Sequence, residues 1–426
     1  MARTSSPTDP LLLEYGEEVE GLRVVRQPSP TGAASFSASY VGPGGWGFDP
    51  VGEEGSARVV NLGLTSAAGR YDRVALARRL DRAGATLSRQ TSPEAAEVTV
   101  WGPAEDWTDL LGILADVILR PRFEPDDLAR IRRQIYERQL REATQPGSRA
   151  ELELLRAVYP SGHPYRATGL GDRRSVERLT RARLQRFHRD HYTSGGGLLV
   201  VTAPATLSAV QREARERFGR FSEVVGPVLR VPALPSGPAV RRTIDLPGRS
   251  QVEVRVGGPS VDQTSPEYPA AFLANEILGG RPLLARLFQR VREKSGLAYH
   301  ASSHLDTMRF GGIWTAQAGT APERWEKVAG MLEGEVDRLR REPVSSRELN
   351  SVRESAIGEI PLSLESTADA HELALDAAYH GLPADYWRTW PAQLRAVRPA
   401  DVLRGARVGF DRNRSVTIAA GPIGST

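Results

Sequence analysis

The sequence contains no cysteine, which excludes disulfide bonds, thiolate zinc sites and cysteine nucleophiles. It also contains little lysine, because every basic residue except Lys294 and Lys327 is an arginine or a histidine. The arginines are interspersed with acidic residues and the net charge is only +4, so we do not expect a nucleic-acid partner. No apolar run approaches the roughly 20 residues of a membrane span, and residues 1–21 lack the apolar core of a signal peptide. We therefore expect a cytoplasmic protein without a membrane partner.

An internal repeat organises the chain, whose 426 residues are enough for two domains with separate hydrophobic cores. The stretches 179–204 and 397–422 have equal length and begin 218 residues apart. Each has the pattern of an amphipathic helix, a break containing glycine or asparagine, a short apolar strand and a turn. This shared register predicts that the two halves of the chain arose by duplication.

The segment 224–240 between the repeats is rich in proline and glycine. Proline restricts φ and removes a hydrogen-bond donor, so this segment predicts an extended linker. The predicted domains are therefore 1–223 and 241–426. A surface loop within a single domain is the alternative for 224–240, and the register of the repeat favours the linker.

Strands and helices alternate within each half. Apolar spacings of three and four predict helices, among them 73–83, 125–142 and 322–341, and short alternating segments predict strands, among them 198–202 and 312–318. Strands followed by helical hairpins indicate an α+β fold. We predict two homologous domains, each a largely antiparallel sheet covered by helices.

The stretch 287–303, LFQRVREKSGLAYHASS, places Arg292 and Tyr299 seven residues apart around a Ser-Gly turn. It resembles the C-terminal-half signature of the pitrilysin/insulinase-type zinc peptidases, the inverzincins. In that family the arginine and the tyrosine reach the zinc site, hydrogen-bond the substrate backbone and help stabilise the oxyanion. The resemblance implies these roles here, and it implies that the two domains form one half of a clamshell.

The resemblance also implies substrate contacts for the Gly279-Gly280 pair and for the loop that follows it. In the family this loop is rich in serine or glycine. Here the loop 281–285 reads RPLLA, and proline and larger side chains make a loop stiffer. The contact between this loop and a substrate is therefore the part of the resemblance that the sequence supports least.

The N-terminal half lacks the H-x-x-E-H motif that members of this family carry on a helix. When the sequence is aligned on its Gly55-Ser56-Ala57 lead-in, Arg58 and Leu62 occupy the histidine positions and Asn61 occupies the glutamate position. Leucine cannot coordinate a metal, and an arginine remains protonated. We therefore expect this chain to hold no zinc.

The family's third zinc ligand, a glutamate, falls at Arg138 or Gln139, so one further ligand is missing. None of the seven histidines replaces the motif. His188 and His191 lie three apart in a predicted helix, but no third ligand is near them in the sequence. The expected cofactor is therefore none in this chain, with zinc in a partner.

An Arg292/Tyr299 pair without a zinc motif predicts the non-catalytic subunit of a heterodimeric zinc endopeptidase. Its partner would be a homologous H-x-x-E-H subunit, and the substrate would be a peptide or a presequence. A catalytically inert scaffold, resembling the core subunits of the respiratory cytochrome bc complex, is the alternative. A self-sufficient peptidase is disfavoured by Arg58 and Leu62.

Overall fold

The structure is a computed structural model of the chain, and it describes residues 9–30, 32–219, 227–234 and 239–424. Parts of the predicted linker, residues 224–226 and 235–238, lie outside the described residues. No described helix combines the length and the apolar character that a membrane crossing requires.

The described strands are β1 (Glu14–Tyr15), β2 (Arg23–Pro28), β3 (Ser35–Gly42), β4 (Thr86–Thr91), β5 (Ala96–Pro103), β6 (Leu198–Ala203), β7 (Val240–Asp245), β8 (Val252–Ser260), β9 (Ala298–Met308), β10 (Gly311–Thr320) and β11 (Val416–Gly421).

The described α-helices are α1 (Ser56–Leu64), α2 (Arg73–Ala83), α3 (Trp107–Leu119), α4 (Pro125–Thr144), α5 (Pro146–Val158), α6 (Arg173–Glu177), α7 (Arg181–His191), α8 (Leu207–Phe218), α9 (Tyr268–Asn275), α10 (Trp325–Arg341), α11 (Ser346–Ser363), α12 (Thr367–His380), α13 (Tyr386–Ala396) and α14 (Pro399–Gly409). Two segments, Glu276–Gly280 and Phe288–Lys294, are π-helical.

Two sheets repeat one topology. The first has the strand order β1-β2-β6-β3-β5-β4, and the second has the order β7-β11-β8-β10-β9. In the first sheet β6 lies between a parallel β2 and an antiparallel β3, and in the second β11 lies between a parallel β7 and an antiparallel β8. The other neighbouring pairs are antiparallel. This repetition confirms the predicted α+β fold with two homologous, largely antiparallel halves.

The spacing of the repeat also holds for individual elements. The pair α7 and β6 recurs as α14 and β11, and both the helix and the strand begin 218 residues later. The predicted helix 73–83 is confirmed as α2, and the predicted helix 125–142 is confirmed as α4, which continues to Thr144. Apolar periodicity located these elements because each helix buries one face.

Two helices pack against sheets from the opposite half of the sequence. α5 lies against β8 and β11, whereas α12 lies against β3 and β6. The chain therefore forms two compact units whose segments alternate along the sequence. The first unit consists of Met1–Gln139, Thr168–Arg230 and Glu359–Thr389. The second unit consists of Leu140–Ala167, Val231–Gly358 and Trp390–Thr426. They differ from the predicted domains by these exchanged segments. An amphipathic pattern identifies an apolar helix face but not the sheet that the face will cover.

His371 anchors α12 to the first sheet. The side chain is buried, and its ring nitrogens Nε2 and Nδ1 lie 2.7 Å from Ser39 Oγ and 2.8 Å from Thr202 Oγ1. Burial lowers the pKa of His371 to about 3. The imidazole is therefore neutral in the folded protein, where it satisfies two buried hydroxyl groups that lie between the helix and the strands.

Replacing His371 with glutamine is expected to flatten the pH dependence of stability. The folded-state pKa lies below the 6.5 of a free imidazole, so the unfolded chain binds the extra proton between about pH 6 and pH 4. This residue therefore lowers the free energy of unfolding by about 1.4 kcal/mol per pH unit as the pH falls. Urea unfolding of both proteins at neutral pH and at about pH 5 measures the difference. A variant with the full wild-type slope would contradict this assignment.

Candidate functional site

Helix α1 carries the positions at which the family's zinc ligands were expected. It begins after Gly55, whose φ of 100° is a left-handed value that favours glycine. The partly buried Asp49 carboxyl group accepts hydrogen bonds from the N–H groups of Gly55 (2.7 Å) and Ala57 (2.8 Å). Burial raises the pKa of Asp49 to about 7, although these backbone hydrogen bonds act to lower it. Arg58 and Leu62 are four residues apart on this helix, so they share a face.

One cavity brings these positions together. Arg58, Asn61 and Leu62 line a cavity of about 390 Å³, and Arg138 of α4 lines it too. Of the two residues proposed for the third ligand position, Arg138 is therefore the one at the cavity. Gln139 instead donates hydrogen bonds to two backbone carbonyl groups.

The donor groups around this cavity do not fit zinc. Three of the lining side chains, those of Arg58, Arg89 and Arg138, are guanidinium groups, which do not give up a proton to coordinate a metal. Asn61 donates a hydrogen bond from Nδ2 to the carbonyl oxygen of Glu97 at 3.2 Å, and an amide cannot act as a general base. Nowhere in the described parts of the chain do three His, Cys, Asp or Glu side chains form a group that could hold a metal.

The imidazole rings of His188 and His191, both on α7, each contact a backbone carbonyl group. His188 Nε2 lies 2.8 Å from the carbonyl oxygen of Ile118, and His191 Nδ1 lies 2.9 Å from that of Phe187. Burial lowers the pKa of His188 to about 4, and burial also lowers the pKa of His191. These contacts fit two neutral packed histidines better than a pair of metal ligands.

Tyr299 lies at a bulge in β9, which forms an edge of the second sheet. Across the β9–β10 pair, Ala298 faces Thr320 and His300 faces Gly319, so Tyr299 is the additional residue. A bulge interrupts the alternation of a strand and redirects a side chain. Accordingly, the Tyr299 side chain is 61% exposed rather than part of the core.

Arg292 lies on the π-helical segment that precedes this strand. It is exposed, and its guanidinium carbon lies 4.8 Å from the centroid of the Phe288 ring. Within the described residues, neither Arg292 nor Tyr299 has a hydrogen-bond or ion-pair partner for its side chain. Both groups can therefore donate hydrogen bonds to a ligand without first breaking an internal contact.

The Gly279-Gly280 pair has a packing role in the structure. A Cβ atom added at Gly279 would lie 2.3 Å from the backbone nitrogen of Ser303, so only glycine allows this approach to β9. The loop that follows begins at Arg281, which is buried and has its Nε 2.5 Å from Glu276 Oε2. Substrate contact by the two glycines stays a prediction.

Comparison with known proteins finds that this chain is similar to a peptidase family and to proteins named as zinc proteases. The family model described as "Peptidase M16 inactive domain" matches residues 178–356. A protein of Mycobacterium tuberculosis named as an uncharacterized zinc protease is 25% identical over 352 residues, which cover 82% of this chain and 79% of that protein. The uncharacterized zinc protease YmxG of Bacillus subtilis is 24% identical over 297 residues, which cover 68% of this chain and 70% of that protein.

Solved structures share the fold. The peptidase M16 inactive domain from Pseudomonas fluorescens matches with a TM-score of 0.89 at 23% identity, covering 96% of this chain and 98% of that chain. A protease from Helicobacter pylori matches with a TM-score of 0.88 at 17% identity, covering 96% of this chain and 99% of that chain. At these identities the likeness concerns the fold alone.

Proposed function

We propose that this chain, whose residues 178–356 match the peptidase M16 inactive-domain model, is a non-catalytic member of that family and completes the active site of a homologous H-x-x-E-H subunit. The partner holds the zinc, and the heterodimer cleaves a peptide or a presequence. Arg292 and Tyr299 donate hydrogen bonds to the substrate backbone and to the oxygen that becomes negatively charged during cleavage. The chain alone is inactive.

The observation that carries this proposal is the exposure of Arg292 and Tyr299 without internal partners in the described residues. Tyrosine in a strand ordinarily contributes to the core or finds a partner for its hydroxyl group. A scaffold would gain nothing from an outward tyrosine at a bulge and an exposed guanidinium on the segment before that strand. The pair is instead suited to a ligand that accepts hydrogen bonds.

In this proposal the two subunits supply different groups to one active site. Zinc in the partner would polarise the scissile carbonyl group and activate water. This chain would supply hydrogen-bond donors, and a preorganised donor to a developing oxyanion contributes about 3–4 kcal/mol. A guanidinium also remains charged throughout the reaction, so Arg292 can stabilise the oxyanion without exchanging a proton.

We expect the purified chain to bind no stoichiometric zinc and to cleave no peptide. Together with a co-encoded H-x-x-E-H homologue, it should form a pair that cleaves peptides and that loses activity when a chelator removes the metal. Elemental analysis and a fluorogenic peptide mixture measure both properties. Zinc-dependent cleavage by the isolated chain would contradict the proposal, whereas a stable but inactive pair would favour the scaffold alternative.

A further inference from the structure

The cavity at the expected zinc position is strongly cationic. Arg58, Arg89 and Arg138 line it, and no aspartate or glutamate is among the described residues of its lining. The four remaining lining side chains, Asn61, Leu62, Gln90 and Thr91, are uncharged. Two positions that the family's active members use for zinc ligands, those of Arg58 and Arg138, therefore carry groups here that attract an anion.

Two of the three guanidinium groups are available to a ligand. Within the described residues, Arg89 and Arg138 have no ion-pair or hydrogen-bond partner, and Nε of Arg89 is buried. Arg58 is held differently, since its Nη2 donates to the carbonyl oxygen of Thr168 at 2.7 Å and its guanidinium lies 5.2 Å from the Trp46 ring centroid. Arg58 is thus fixed in position, while Arg89 and Arg138 lack a counterion.

The surroundings of Arg89 oppose its charge. Burial lowers the pKa of Arg89, and the charges of Arg130 and Arg138 lower it further. Removing a guanidinium from water beside like charges costs free energy unless an anion compensates. A bound carboxylate would compensate the charge of Arg89, and its two oxygens match the planar fork of a guanidinium group.

We propose that this cavity binds the carboxylate of an aspartate or glutamate within an extended peptide. The proposal rests on the proposed function, because it takes the substrate to be a peptide, and it adds a preference for an acidic residue. Three cationic groups in one cavity suit a single carboxylate that is desolvated when it enters.

The location of Arg89 explains why the anion would belong to a peptide. Arg89 lies in β4, which forms an edge of the first sheet among the described strands. An extended peptide can add to such an edge through main-chain hydrogen bonds, and pockets beside the edge then select alternate side chains. The cavity takes Arg89, Gln90 and Thr91 from this strand, so it lies where such a pocket would be.

Fluorescence anisotropy with the isolated chain tests this preference. The probes are two short labelled peptides that differ only in a central glutamate or glutamine. We expect the glutamate peptide to bind at least about 10-fold more tightly, as a charge-assisted hydrogen bond implies. Arg89→Gln and Arg138→Gln should each remove about 10-fold of that affinity and leave the glutamine peptide unaffected. Arg133→Gln, at an exposed position of α4 outside the cavity, is the matched control and should change neither.

Three outcomes would overturn the proposal. One is that the wild-type chain binds the two peptides with equal affinity. Another is that a variant that keeps the wild-type melting temperature loses affinity for both peptides. The third is inorganic phosphate binding as tightly as the glutamate peptide, which would make the cavity a site for a free anion. Since no partner and no catalysis are needed, these results are independent of the activity of the pair. An active pair without acidic preference refutes only this inference, and an inactive pair with acidic preference refutes only the proposed function.

Discussion

Replacing Arg292 with alanine is expected to lower kcat of the two-subunit peptidase by about 100- to 1,000-fold, the usual loss when one oxyanion donor is removed. Tyr299→Phe, which removes only the hydroxyl group, should also lower kcat. If the donors act mainly in the transition state, kcat and kcat/KM will fall together while KM changes little. Steady-state cleavage of a fluorogenic peptide by the reconstituted pair measures both constants.

The structure allows a clean control for these substitutions. Both side chains are exposed, so we expect the free energy of unfolding to change by no more than about 0.5 kcal/mol. Lys294→Ala removes another exposed cation two residues from Arg292 and should leave kcat unchanged. Full activity in both Arg292→Ala and Tyr299→Phe would refute the shared active site. Arg292→Lys should recover only part of the rate, because an ammonium group lacks the planar fork.

Residues 1–223 and 241–426, expressed as two separate chains, are each expected to fail to fold. The first fragment lacks α12, which covers β3 and β6, and the second lacks α5, which covers β8 and β11. Burying one large apolar side chain contributes about 1.5–3 kcal/mol, whereas a whole domain is stable by only about 5–15 kcal/mol. Loss of a complete covering helix therefore removes a large share of each unit's stability.

Co-expression provides the control for this experiment. Together the fragments contain all the described helices and strands except for Val240, the first residue of β7, so we expect them to associate and to recover the circular dichroism spectrum and thermal transition of the intact chain. Each fragment alone should aggregate or lack a cooperative transition. A soluble single fragment with a cooperative transition would show that its sheet does not need the helix from the other half of the sequence.

Local patterns in the sequence predicted much of the fold. The 218-residue register of the repeat, the bounds of α2 and the start of β6 follow from apolar periodicity and from the position of turn residues, which depend on neighbours in the chain. His371 shows the limit of such reasoning. Nothing near it in sequence indicates that its ring will lie between Ser39 and Thr202, because those contacts span more than 160 residues.

For the candidate sites, the sequence by itself determined which side chains stand at the expected zinc-ligand positions. Arg58 and Leu62 are not zinc ligands, because the identity of a side chain decides whether it can coordinate a metal. Only the tertiary structure decided that Arg89 joins Arg138 at that position and that Tyr299 points outward from a bulge. Strand register and helix docking depend on packing between distant segments, which a local pattern does not encode. The same limit hid the exchange of α5 and α12.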